Sequence, residues 1–225
     1  MGINALANFP RLAILDPTLA LSCPLSVSIA SAMDSLVHAL ESYAAKQANA
    51  LTRAFAKEAF GLTINALPKL KKRPKDIETR GNLQLGAYLA GVSLCNAGSG
   101  PAGALSYPLG VHFRAPHGLA GAVFLPYLIE FNVKRGYDYS ELYDLINKAD
   151  TNLSKKKKNR TFSEKLFSLN KQLGIPLGLR NFGVNEETIG ILLQETESLQ
   201  NAFNQNPVPF LVKDGNALLQ KMITF

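Results

Sequence analysis

Apolar positions along this chain recur at three- and four-residue spacing and almost nowhere alternate with polar ones, the signature of helices rather than strands. After an extended entry, RLAILDPTLALSCP, Pro24 can open a helix whose apolar face carries Leu25, Ile29, Met33, Leu36, Val37, Leu40 and Tyr43. A second helix is expected from about Asn49 to Leu67, with Leu51, Phe55, Ala59, Leu62 and Leu67 inward and Pro68 ending it. A third, from about Lys75 to Asn96, is rich in small residues, and Gly81, Gly86, Ala90 and Gly91 would let neighbouring backbones come close. NAGSGPAGALSYPLG then reads as a glycine-rich bend, and HFRAPHGLAGAVFLPYLIEFN begins as a loop and ends as an apolar helix. Further helices are predicted in YSELYDLINKA, FSEKLFSLNKQLGIP, NEETIGILLQETESLQN and DGNALLQKMIT, with starts at Ser163 and Asn185.

Strands that would build a parallel sheet are missing from this pattern, so the expected fold class is all-α. The expected organisation is an extended entry segment over residues 1–23 followed by one helical domain over residues 24–225. The formal charge of +7 is local: ten of the 24 basic residues lie in KLKKRPK and KKKKNR, and the remaining 14 face 17 acidic residues, a balance of −3. Neither cluster is interleaved with aromatics, so both read as solvated loops and no nucleic-acid partner is expected. Cys23 and Cys95 lack metal or disulfide spacing and read as small core residues. No apolar run reaches the roughly 20 residues of a membrane span and no signal peptide opens the chain, so the expected location is the cytoplasm with no membrane partner.

GSGPAG, residues 98–103, matches the GxGxxG dinucleotide fingerprint. A helix precedes it, no acid occurs between Ala104 and Ile129 to hold a ribose, and Pro101 removes one N–H, so phosphate binding in the fingerprint manner is not expected here. Asp34 and His38 in MDSLVHALESY stand one helical turn apart and can converge on one point. With His117 of APHGL they would offer one carboxylate and two imidazoles, suited to Zn²⁺ or Fe²⁺. Pairs at i and i+4 are common on helices, and spacing alone favours a buried hydrogen bond between Asp34 and His38 over a metal. A Ser/His/Asp hydrolase is disfavoured, because no G-x-S-x-G elbow occurs.

The ordered series LAILDPTLALSCP, MDSLVHALESY, YPLGVHFRAPHG, GIPLGLRNFGV and NPVP resembles the C-terminal helical domain of the iron-containing, or group III, alcohol dehydrogenases, a dehydroquinate synthase-like fold, over nearly the whole chain. The resemblance implies a divalent metal, Fe²⁺ or Zn²⁺, that binds an alcohol oxygen and prepares its carbon to give hydride to NAD(P). It places metal ligands on Asp34, His38 and His117. Two departures follow. Where the family carries two histidines four apart, the first a ligand, this chain has Gly103 and Tyr107, which leaves three ligands and implies weakly held metal. His112 is a nearby substitute candidate and, with Tyr107, lies on the expected substrate side. The family's N-terminal nucleotide-binding domain is expected to be absent, so NAD(P) would require a separate nucleotide-binding chain as partner. The expected function is therefore the helical half of a metal-dependent NAD(P)-linked dehydrogenase of small alcohols and aldehydes, incomplete alone and forming a homo-oligomer. The alternative is a non-catalytic interaction or oligomerisation module.

Overall fold

The computed structural model describes residues 10–146 and 148–224. Asn49 opens the second long helix with a reciprocal cap: its Oδ1 accepts from Leu51 N and Thr52 N, while Thr52 Oγ1 accepts from Asn49 N. Asp76 caps the third through Thr79 N. Each such cap satisfies orphan helix N–H groups and contributes about 1 kcal/mol. The principal helices are α1 (Leu25–Ala44), α2 (Ala50–Lys72), α3 (Ile77–Ala97), α4 (Pro101–Phe113) and α5 (His117–Lys134). A short α6 (Ser140–Tyr143), α7 (Lys155–Leu173), short α8 (Ile189–Glu195) and α9 (Gln200–Phe203), and α10 (Val212–Met222) follow. Among the described residues there is no strand, and no helix is long and apolar enough to cross a membrane.

The α1 helix lies at the centre because it is apolar on more than one side. Met33, Leu36, Val37, Ala39 and Leu40 are all at most 1% exposed, and the helix packs against α2, α3 and α5. Close approach depends on glycine at the seams. A Cβ on Gly86 of α3 would stand 2.5 Å from Thr63 Oγ1 of α2. On α5, a Cβ on Gly121 would meet Val37 Cγ2 at 3.2 Å and one on Gly118 would stand 2.0 Å from the Ala30 carbonyl oxygen of α1. The last value leaves no room for any side chain.

The entry segment is tied down by polar contacts rather than by its apolar residues. Buried Arg80 donates to the carbonyls of Pro74 and Cys23 and to Ser28 Oγ, and Gln84 Nε2 donates to the Asp16 carbonyl. Leu12, Ile14 and Leu19 are 74–81% exposed.

Several sequence expectations are corrected. Pro68 sits inside α2, which continues to Lys72 because Leu70 is fully buried and anchors the last turn. The buried stripe of α2 is Thr52, Ala56, Ala59, Phe60, Thr63, Ile64, Leu67 and Leu70, whereas Leu51 is exposed. Both basic clusters are largely helical rather than loops. Lys69, Lys71 and Lys72 occupy the last turn of α2, where cations suit the helix dipole, while Lys155–Lys158 open α7, well before Ser163. YSELYDLINKA yields only the single turn of α6, and NEETIGILLQETESLQN breaks into α8, a 3-10 turn and α9. Cys95 is exposed and Cys23 half-buried, so neither is a core residue. Asn147 lies outside the described residues.

Candidate metal centre

The glycine-rich stretch is a bend only from Gly98 to Gly100; from Pro101 onward it is α4. The reason is a side chain distant in sequence. Glu41, on α1, is half-buried and points its carboxylate at the start of α4. Its Oε2 accepts from Ser99 Oγ (2.8 Å), Gly100 N (2.9 Å) and Gly103 N (3.1 Å), and its Oε1 from Ala102 N (2.6 Å). A protein carboxylate thus fills the place that a phosphate takes in a dinucleotide loop. The glycines serve that carboxylate: a Cβ on Gly100 would meet Glu41 Oε1 at 2.8 Å, and Gly98 holds a φ of 86°. Burial pushes the Glu41 carboxyl above its ordinary value, while the four donors pull it back down.

Glu41 therefore locks α4 onto the helix that also carries Asp34 and His38. After α4, Arg114 takes a left-handed conformation (φ 54°), and α5 begins at His117. Gly118 lets the α5 start press against Ala30 and Asp34. These two anchors bring three residues from two elements together. His38 Nε2 lies 3.7 Å and His117 Nε2 3.6 Å from Asp34 Oδ1, and the three ligand atoms all fall within 4.8 Å of one another. The three side chains are partly exposed, at 29% for Asp34, 25% for His38 and 40% for His117.

These separations are too long for good hydrogen bonds. Two ligand atoms held about 2.1 Å from a common tetrahedral ion stand about 3.4 Å apart, close to what is found. One hard oxygen and two imidazole nitrogens also suit a borderline divalent cation such as Fe²⁺ or Zn²⁺. The residues present fit such an ion, and their partial exposure leaves a side open to a small molecule.

The remaining sequence candidates fall elsewhere. His112 lies 3.4 Å from Glu195 of α8 and is not among the converging atoms. Gly103 is buried, its N–H held by Glu41, and a Cβ there would meet Ser99 Oγ at 2.6 Å and Glu41 Oε2 at 3.1 Å. Tyr107 is 63% exposed and packs on the His117 ring, centroids 4.9 Å apart. Sequence reasoning missed Glu41, Gly118 and Ser106, whose Oγ lies 3.0 Å from His117 Nδ1. For Glu41 the available signal was an acid on an otherwise apolar helix face, at i+3 from His38 and i+7 from Asp34.

The family model described as Fe-containing alcohol dehydrogenase family, C-terminal, matches residues 28–223. The chain belongs to this family. It is 34% identical over 184 residues to the NAD-dependent methanol dehydrogenase of Bacillus methanolicus, covering 81% of this chain and 48% of that protein. Identity to the 1,3-propanediol dehydrogenase of Klebsiella pneumoniae is 31% over 201 residues, covering 89% and 52% respectively. The iron-containing alcohol dehydrogenase of Thermococcus thioreducens superposes with a TM-score of 0.82 at 31% identity over 96% of this chain and 55% of its own. The chain thus spans about half the length of the curated relatives it matches, and the all-α architecture corresponds to their C-terminal part.

Proposed function

We propose that this chain is the helical, metal- and substrate-binding half of a metal-dependent, NAD(P)-linked dehydrogenase acting on small alcohols and aldehydes. The observation that carries the reading is the convergence of Asp34 Oδ1, His38 Nε2 and His117 Nε2 in a member of this family. In this reading those three atoms hold Fe²⁺ or Zn²⁺. When bound, the ion supplies Lewis acidity, which lowers the pKa of an alcohol oxygen and so favours hydride loss from the neighbouring carbon.

The chain's own residues prepare that site. Asp34 and His38 are preorganised one turn apart on a helix whose core face is almost fully buried, which reduces the ordering cost of binding. The Asp34 carboxylate supplies the negative charge among the three ligands. Tyr107 shields one face of His117 and presents its ring on the open side, where a substrate's carbon chain would lie. The NAD(P) is held by a nucleotide-binding half, either in the same longer polypeptide or on a separate chain. The exposed apolar strip of Leu12, Ile14 and Leu19 offers such a half an unpartnered surface.

Zn²⁺ titration after dialysis against chelator, with elemental analysis, tests the reading. One weak site per chain is expected, weakened more than about 100-fold by Asp34→Ala, since losing a ligand outweighs the 10- to 100-fold cost of disturbing its support. NAD(P)-linked oxidation of a small alcohol is expected only when a nucleotide-binding half is supplied. A folded chain that binds neither Zn²⁺ nor Fe²⁺ would overturn the proposal in favour of an interaction module.

A further inference from the structure

His117 offers its Nε2 to the cluster, so its usefulness as a ligand depends on where the ring proton sits. A neutral imidazole carries its hydrogen on one nitrogen and a lone pair on the other, and only the lone pair can bind a cation. The other nitrogen, Nδ1, lies 3.0 Å from Ser106 Oγ. Ser106 is fully buried in α4, so no water competes for its hydroxyl.

The hydroxyl has one hydrogen to give. Ser106 Oγ stands 2.6 Å from the Gly103 carbonyl oxygen and donates to it. That carbonyl is itself kept in place, because the Gly103 N–H donates to Glu41 and the residue lies in the first turn of α4. With its hydrogen committed, Ser106 can only accept from the imidazole. We infer that Ser106 is a positioning residue that holds the hydrogen of His117 on Nδ1, leaving the Nε2 lone pair aimed at Asp34 and His38.

The inference deepens the metal reading and rests on it for its consequence, but the proton placement stands on the hydrogen bonds alone. It also gives Gly103 a role. The position where the family resemblance implies a ligand serves here, through its N–H and carbonyl, as the link between Glu41 on α1 and the support of His117. Tyr107, packed on the ring with centroids 4.9 Å apart, also restrains its rotation.

Nitrogen NMR of the metal-free chain labelled at histidine decides the matter, since the sequence holds only three histidines. In the native chain, above the pH at which the ring becomes neutral, His117 is expected in the Nδ1–H form. Ser106→Ala should shift it toward the Nε2–H form, while Ser106→Thr, which keeps the hydroxyl, should restore the native pattern. Co²⁺ titration of the same proteins, followed by visible absorption, should show Ser106→Ala binding about 10- to 100-fold more weakly at unchanged helicity and melting behaviour. An Nε2–H ring in the native chain, or a tautomer unmoved in Ser106→Ala, overturns the inference even if Co²⁺ binds tightly. The expected tautomers with no Co²⁺ binding in the native chain would uphold it and sink the metal reading instead.

Discussion

The helices α4 and α5 follow one another in the chain and both start with small residues and a proline, yet their first turns are treated in opposite ways. At α4 the leading N–H groups are sealed by Glu41, whose carboxylate accepts four hydrogen bonds. At α5 no side chain caps the first turn, His117 stands at the first helical position, and its ring is partly open to solvent. The α4 stretch carries the motif that looks functional, GSGPAG, and its work is structural. The α5 stretch, PHG, looks like punctuation and carries the candidate metal ligand His117. A glycine motif records only that something comes close to the backbone; what comes close is decided by the rest of the fold.

The largest effect is expected from Gly118→Ala. The new Cβ would stand 2.0 Å from the Ala30 carbonyl oxygen and 2.9 Å from Asp34 Cβ, and backbone cannot yield as a side chain can. Destabilisation of about 3 kcal/mol is expected by urea unfolding, at the upper end of overpacking costs, together with loss of Zn²⁺ binding as α5 is pushed off α1. Gly91→Ala, at a helical position with nothing within 4 Å, should instead stabilise by about 0.5–1 kcal/mol. If the two substitutions behave alike, the tight α1–α5 seam is not what places His117.

Next comes Glu41→Gln, which removes the charge but keeps the shape. Loss of about 2 kcal/mol is expected at neutral pH, because an amide nitrogen now faces N–H donors that need an acceptor. The pH dependence has a definite sign. A carboxyl raised in the folded state binds protons more readily there than in the unfolded chain. Its contribution is therefore fully present below the ordinary value of 4.5 and is lost as pH rises through the folded value. The native chain should gain on Glu41→Gln as pH falls from neutral toward 4.5, as paired unfolding curves would show. A gap that instead widens with rising pH would mean that the four donors outweigh burial.

Smaller again is the expected effect of Gly103→His, which puts back the residue type that the family resemblance implies. The backbone there is helical, but the Cβ would meet Ser99 Oγ at 2.6 Å and crowd Glu41. Ser99 must rotate and give up its bond to Glu41, so about 1 kcal/mol of stability should be lost with no gain in Zn²⁺ affinity. A tighter Zn²⁺ site in this variant would show that the start of α4 can be reopened for a ligand.

The helix α1 was legible in advance because its apolar positions recur over five turns, a strong signal. The helix α3 was bounded almost correctly from its run of small residues, although it buries mainly small and polar side chains. Helix α4 was read as a bend, since Gly103, Pro108 and Gly110 argue against a helix and the cap that permits it is not a neighbour in sequence. The start of α7 was misread for a related reason: lysines are good helix formers, and their charge says nothing about backbone state.

By itself the sequence determined the all-α class, the central apolar helix, the family and the candidacy of Asp34, His38 and His117, because each rests on local spacing or on an ordered series of short motifs. It could not show that His117 comes to lie beside Asp34 and His38, nor what the glycines serve. Those were decided by tertiary structure: Gly118 admits α5 against Ala30, Glu41 fastens α4 to α1, and Ser106 meets His117 across the turn between them. Each is a contact between residues distant in sequence or on different elements, and the hydrogen bonds and steric limits that fix it exist only once the helices are packed.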